Sequence, residues 1–246
     1  MILKGKTALI TGASRGIGAA VAQAYAKEGA HVVLTARTVG GLEAVDDAIQ
    51  KAGGQATLIP LDMTKLEDVD KLGPALLEKF GGLDIVVGNA GMLGTLGPLT
   101  HMKPEEFEKL MTLNVTANVR LIRTLDPLLR AAPAGRAIFT STGPNTVQGK
   151  RAYWGAYAMS KAALDAMVRS YAAENAATNI RVNGVRPGTV DTAMLRSAFP
   201  GGFEALDHVS EPEDIAPLFV ELASESCQRN GEIVNFPDWS QNVQAA

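Results

Sequence analysis

TALITGASRGIGAAVAQAYAKEG, residues 7–29, reads as a strand, a glycine-rich turn and a helix. TALIT (7–11) is a short run of apolar and β-branched residues, and TGASRGIG (11–18) follows with Gly12, Gly16 and Gly18 spaced as G-x-x-x-G-x-G. The helical pattern then closes at Gly29, a residue suited to a helix C-terminus. Glycines in such a turn permit a tight bend and let a phosphate approach backbone N–H groups at the start of the helix. No Gly-Lys-Ser/Thr follows, which excludes a nucleoside-triphosphate loop, and the spacing also departs from G-x-G-x-x-G. The place of the turn, after the first strand and before a long helix, favours a dinucleotide site over an ordinary glycine bend.

The alternation continues to the end of the chain. HVVLTA (31–36), ATLIPLD (56–62), DIVVGNA (84–90), RAIFTST (136–142), IRVNGV (180–185) and EIVNF (232–236) read as further strands. Helical patterns lie between them at GLEAVDDAIQKAGG, around 65–80, over 104–131, over 155–177 and near 212–224. Strands that alternate with helices imply right-handed crossovers and a parallel sheet. Nearly continuous apolar strands imply a sheet covered on both faces. No linker or repeat divides residues 1–246. The expected fold is α/β: one doubly wound Rossmann-type domain with about seven parallel strands. Such sheets bind ligands beyond the carboxyl ends of their strands.

Composition limits the function classes. The 246 residues are 46% hydrophobic and 20% charged, and 23 Lys and Arg face 26 Asp and Glu, a formal net charge of −3. That balance argues against nonspecific nucleic-acid binding. Cys227 is the single cysteine, which excludes an internal disulfide framework and fits a reducing compartment. MILKGKTALITG has too short an apolar run for a signal peptide. Residues 85–102 are uncharged but broken by glycines and Pro98, unlike a membrane helix. The cytoplasm is the expected location. His31, His101 and His208 show no ligand spacing, so no metal site is expected.

The end of the second strand bears on the cofactor. An acidic residue there suits the ribose 2′-hydroxyl of NAD, and an arginine suits the 2′-phosphate of NADP. The chain reads Ala36-Arg37, with no acid until Glu43, and Arg15 in the glycine turn offers a second guanidinium. NADP(H) is the expected cofactor and NAD(H) the alternative. Two ordinary solvated arginines are the plain reading.

YAMSK (157–161) sets Tyr157 and Lys161 four apart on one helical face. Packing is the usual explanation of that spacing. Here TGASRGIG, NAG at 89–91, Asn114 in LNV, Ser141 after the fifth strand, YAMSK, and RPGTVDT at 186–192 occur together. Their order and spacing resemble the short-chain dehydrogenase/reductase family from residue 7 to about 236.

The resemblance implies that Tyr157 is the catalytic acid/base and Lys161 its partner and a ribose contact. It implies that Ser141 orients the substrate carbonyl and Asn114 anchors a water relay to the lysine. It implies a cofactor site of Gly12, Ser14, Arg15, Gly16, Ile17 and Gly18, with Arg37, with Asp62 and Met63 near adenine, and with Asn89, Ala90 and Gly91 along the sheet edge. Tyr157, Lys161, and Pro187, Gly188, Val190 and Thr192 beside the nicotinamide carboxamide complete it. A homotetramer or homodimer built on the helices at 104–131 and 155–177 is the implied assembly. The chain departs from the family in three places. Ser141 lies sixteen residues before Tyr157, with QGKRAYW as an insertion, which leaves Thr142 as a second candidate. Residue 88 is Gly, and the tail is NFPDWSQNVQAA.

These residue types fit hydride transfer, in which the nicotinamide carries the hydride and the protein supplies position, a proton and electrostatics. A free tyrosine titrates near pH ~10, and a nearby ammonium is expected to lower that value. Tyr157 then serves as acid in reduction and base in oxidation. A small-molecule carbonyl or secondary alcohol is the expected substrate class. MLRSAFPGGFEALDH (194–208), in a variable loop of about 190–210, resembles a substrate cover with Pro200-Gly201-Gly202 as hinge. Arg123, Arg130 and Arg136 offer a docking patch for an acidic acyl carrier; a small ketone or aldehyde fits equally. A catalytically silent nucleotide binder is the contrasting reading, and retention of both Tyr157 and Lys161 disfavours it.

Overall fold

The computed structural model describes residues 1–202, 206 and 208–244. Its strands are β1 (Thr7–Thr11), β2 (His31–Ala36), β3 (Gln55–Pro60), β4 (Ile85–Gly88), β5 (Arg136–Thr140), β6 (Arg181–Arg186) and β7 (Ile233–Asn235). All pair in parallel, in the order β3-β2-β1-β4-β5-β6-β7. The winding reverses between β1 and β4, which opens a crevice at their carboxyl ends. The glycine turn sits at that point.

Helices α1 (Gly16–Lys27), α2 (Val39–Lys51), α3 (Leu66–Asp70), α4 (Leu72–Phe80), α5 (Pro104–Met111), α6 (Ala117–Ala131), α7 (Pro144–Val147), α8 (Gly155–Glu174), α9 (Ala193–Ala198), α10 (Pro212–Ala223) and α11 (Phe236–Gln244) fill the connections. Strand alternation divides the core between the two faces. Ala8, Ile10, Val32, Leu34, Ile85 and Val87 pack with α1, α2 and α10. Leu9, Val33 and Val86 pack with Leu76, Leu121, Leu125, Leu164 and Val168 from α4, α6 and α8. Burial on both faces is why the strands read as unbroken apolar runs.

The structure revises the element boundaries in three places. The single helix expected around 65–80 is split into α3 and α4. Pro74 lacks an N–H and would press its ring on the Asp70 carbonyl, so the helix restarts. That carbonyl instead accepts Thr124 Oγ1 at 2.8 Å. The helix expected over 104–131 is interrupted by a π turn at Thr112–Thr116, which carries Asn114. Finally, α9 and α11 follow polar, weakly periodic sequence that gives no helix signal. No described helix is long and apolar enough to cross a membrane.

Candidate active site

The site is built from the strand ends upward. Thr11 closes β1, and its Oγ1 accepts from Asn89 N at 2.9 Å and Ala90 N at 3.0 Å. The Asn89 amide donates to the Thr11 and Gly12 carbonyls at 3.1 and 3.3 Å and accepts Thr140 Oγ1 at 3.1 Å. Asn89 therefore fastens the ends of β1, β4 and β5 together and has both amide groups committed to that task. Gly12 turns the chain at φ +66°. A methyl on Gly18 would stand 2.3 Å from the Gly12 carbonyl oxygen, so only glycine lets α1 begin this close to the turn. The first N–H groups of α1 have no partner within the helix, as suits an anion.

Across the crevice runs the segment after β6. Thr192 Cγ2 would lie 3.2 Å from a methyl on Gly16, so the two loops meet there. Thr192 Oγ1 caps α9 by accepting Leu195 N at 3.2 Å, and Val190 is buried beside its bridge to Ser210. Residues 203–205 and 207 of the expected cover lie outside the described residues. Arg15 and Arg37 are both exposed on the crevice rim, and neither makes an ion pair among the described residues. Asp62, after β3, accepts Thr64 N and Oγ1 at 3.0 and 2.8 Å. Burial pushes its carboxyl up, but those bonds and the charges of Arg37 and Lys65 hold it below the ordinary range. The Met63 side chain is buried in the core, which leaves only its backbone for a ligand.

Along α8, Tyr157 and Lys161 face the sheet and are only 6% and 4% exposed. Lys161 Nζ donates to the Thr140 carbonyl at 2.7 Å and stands 5.9 Å from the centre of the Tyr157 ring. A methyl on Gly91 would lie 3.6 Å from Lys161 Nζ and 3.3 Å from Asn114 Oδ1, so Gly91 brings the loop after β4 against both. The Asn114 amide is paired with Met92 N and O, both at 2.9 Å, and donates to Ser160 Oγ at 3.0 Å. The π turn thus locks Asn114 between the loop after β4 and α8.

Ser141 departs from its expected role. Its hydroxyl is 3% exposed and donates to Asp165 Oδ1, away from the crevice. The hydroxyl beside the Tyr157 phenol, close enough to oppose the rise of its pKa, is that of Thr142. Successive residues at a strand end point to opposite sides, so Ser141 and Thr142 face opposite directions. Arg136 also leaves the docking patch proposed for it. It is buried, and its guanidinium donates to the Ser224 and Glu225 carbonyls at 3.0 and 2.9 Å.

A profile of the family described as short chain dehydrogenase matches residues 6–201, most of the chain. The chain belongs to the short-chain dehydrogenase family. The Escherichia coli K12 protein named uncharacterized oxidoreductase YciK is 37% identical over 231 residues, 93% of this chain and 90% of its own length. The fatty acyl-CoA reductase of Acinetobacter baylyi is 36% identical over 221 residues, 89% of this chain and 72% of its own. Among solved structures, a short chain dehydrogenase from Escherichia coli CFT073 complexed with NADPH matches with a TM-score of 0.88 at 35% identity. That match covers 96% of this chain and 98% of the other.

In this short-chain dehydrogenase, burial dominates the titration of the central pair. It pushes the Tyr157 phenol up to about 12, against the smaller opposing effect of the nearby Thr142 hydroxyl. It brings the Lys161 ammonium down to about 8, against the opposing pull of the Asp165 carboxylate. The expectation that the ammonium lowers the phenol value is therefore not met here. At neutral pH both groups hold their protons, a neutral phenol beside an ammonium.

Two further parts of this dehydrogenase site escape sequence reasoning. Asp165 lies four residues beyond Lys161, a spacing that ordinarily reads as a solvated pair on a helix surface. Trp154 lies edge-on to the Tyr157 ring at 6.0 Å, and Phe199 packs on Trp154 at 6.1 Å. Only the fold brings the end of α9 to the start of α8.

Proposed function

We propose that this short-chain dehydrogenase is an NADP(H)-dependent reductase of apolar carbonyl compounds, with Tyr157 as the proton donor. The observation that carries the reading is the Tyr157–Lys161 pair: a buried phenol with a buried amine 5.9 Å from its ring centre, held by the Thr140 carbonyl, and with the Thr142 hydroxyl nearby. Arg15 and Arg37, without ion pairs among the described residues, match a 2′-phosphate in charge and geometry. The likeness to a structure complexed with NADPH supports the same choice. When bound, that cofactor supplies the hydride.

The chain's own groups then handle the oxygen of the substrate. Thr142 donates a hydrogen bond to the carbonyl oxygen as it gains charge. Tyr157 gives its proton to the resulting alkoxide, and in alcohol oxidation it takes the proton back. Lys161, fixed by the Thr140 carbonyl, opposes the negative charge left on the phenol. Asn114 holds the loop after β4 so that this geometry persists. Trp154 and Phe199 form an aromatic wall next to Tyr157, which fits an apolar chain or ring better than a polar substrate. Self-association through the outer faces of α6 and α8, where Val119 and Met159 are exposed, belongs to the same reading.

The test is a screen of NADPH and NADH oxidation over small aldehydes, ring ketones, long-chain ketones and β-ketoacyl thioesters. The reading expects NADPH to be preferred and the larger apolar carbonyls to be turned over. Activity confined to small polar carbonyls, or a preference for NADH, would contradict it.

A further inference from the structure

Asp165, Ser141 and Arg186, which take no part in the steps above, form a buried cluster next to Lys161: Lys161 Nζ bonds the Thr140 carbonyl, and the adjoining residue, Ser141, bonds Asp165. Asp165 lies one turn further along α8 on the same stripe, with its side chain only 4% exposed. One carboxylate oxygen accepts Ser141 Oγ, and the other pairs with Arg186 Nη2 from β6 at 2.7 Å. Both oxygens are held by protein. A buried ion pair is weak evidence for stability, because desolvation offsets much of the attraction and an apolar replacement is often neutral or better. This one lies within a helical turn of the buried ammonium that the reaction needs.

We propose that Asp165 is a positioning residue for the reaction: fixed by Ser141 and Arg186, its carboxylate keeps Lys161 in the ammonium form beside Tyr157. The inference rests on the acid/base reading of Tyr157. Among the described residues, the following groups lie near Lys161. Tyr157 and Asp165 face it from α8, and Arg186 approaches from β6 through Asp165. Thr140, Gly91 and Asn114 complete the surroundings and carry no charge. The carboxylate raises the affinity of Lys161 for its proton, and the Arg186 guanidinium works against it. The Ser141 hydroxyl pins the carboxylate so that the attraction persists against the pull of Arg186.

The experiment is kcat against pH for NADPH-driven reduction by wild type, Asp165→Asn and Arg186→Gln. The alkaline limb belongs to the coupled Tyr157–Lys161 pair, so an ammonium lost earlier moves it down. Asp165→Asn is expected to shift that limb to lower pH by about one unit, the scale on which a close charge acts. Arg186→Gln leaves the carboxylate unopposed and is expected to shift it to higher pH. A purely structural Asp165 would lower kcat at every pH and leave the limb in place, which would overturn the proposal. If Asp165→Asn does not fold, Arg186→Gln decides alone, and a limb that stays or moves to lower pH overturns it. Tyr157→Phe separates the two readings. Turnover at the wild-type rate in that variant refutes the acid/base role itself. An inactive Tyr157→Phe with unmoved limbs in the other variants refutes only the role of Asp165.

Discussion

Lys161 Nζ stands 5.9 Å from the centre of the Tyr157 ring, and burial makes it the first of the two to lose its proton. At neutral pH the cluster therefore holds a protonated phenol beside a charged amine. That is the state required to deliver a proton to an alkoxide, which is why carbonyl reduction is the direction proposed.

The buried ammonium carries a stability cost that depends on pH. Lys161 titrates at about 8 in the folded chain against 10.5 for the ordinary side chain. Below pH 8 both states hold the proton and the folded state bears the full cost of burying it. Between the two values the folded state releases the proton while the unfolded state keeps it, so this group makes stability rise with pH there. Lys161→Met should be the more stable protein at neutral pH, by on the order of 2 kcal/mol once the lost Thr140 hydrogen bond is counted. The gap should narrow from pH 8 to 10.5. Denaturant titrations of both proteins across that range check this, and a variant less stable at neutral pH would contradict it.

The proposal that Thr142, rather than Ser141, faces the substrate is directly testable. Thr142→Ala should lower kcat by about 10²-fold, as for loss of a donor to a developing oxyanion. Ser141→Ala should cost far less turnover, because its buried hydroxyl is committed to Asp165. Steady-state kinetics on the two variants, with circular dichroism to confirm folding, decide the matter. The reverse ranking would restore Ser141 to the substrate side.

The parallel sheet, the glycine turn and the Tyr157–Lys161 pair are all legible in the sequence, because each is a local pattern of period or spacing. The boundary between α3 and α4 is legible in principle from Pro74. The orientation of Ser141 is not, since a one-residue shift at the end of β5 turns a side chain to the other face without changing the motif. Arg136 reads as surface charge in the sequence and is buried against carbonyls, several of them in the turn after α10. Asp165 is invisible for a similar reason: it sits on α8, and its partner Arg186 comes from strand β6.

The choice of cofactor rests on the rim arginines. Arg37→Ala should weaken NADPH binding by about 10- to 100-fold, the scale of a charge-assisted hydrogen bond, and leave NADH nearly unaffected. Fluorescence titration with each cofactor measures both. Equal loss for the two would place Arg37 away from the 2′-phosphate.

The aromatic wall predicts a specificity effect. Trp154→Ala should raise KM for large apolar carbonyls more than for small ones, with NADPH affinity retained. Loss of an aromatic contact of this size is worth about tenfold or more. A uniform change across substrate sizes would remove Trp154 from the substrate pocket.

The most direct measurement is the rate of NADPH oxidation by Tyr157→Phe, under saturating carbonyl, beside its NADPH affinity. The cofactor should bind as in wild type while turnover falls by about 10³-fold or more, since the phenolic proton has no substitute. A variant that binds NADPH normally and reduces the carbonyl at the wild-type rate would show that the proton comes from elsewhere.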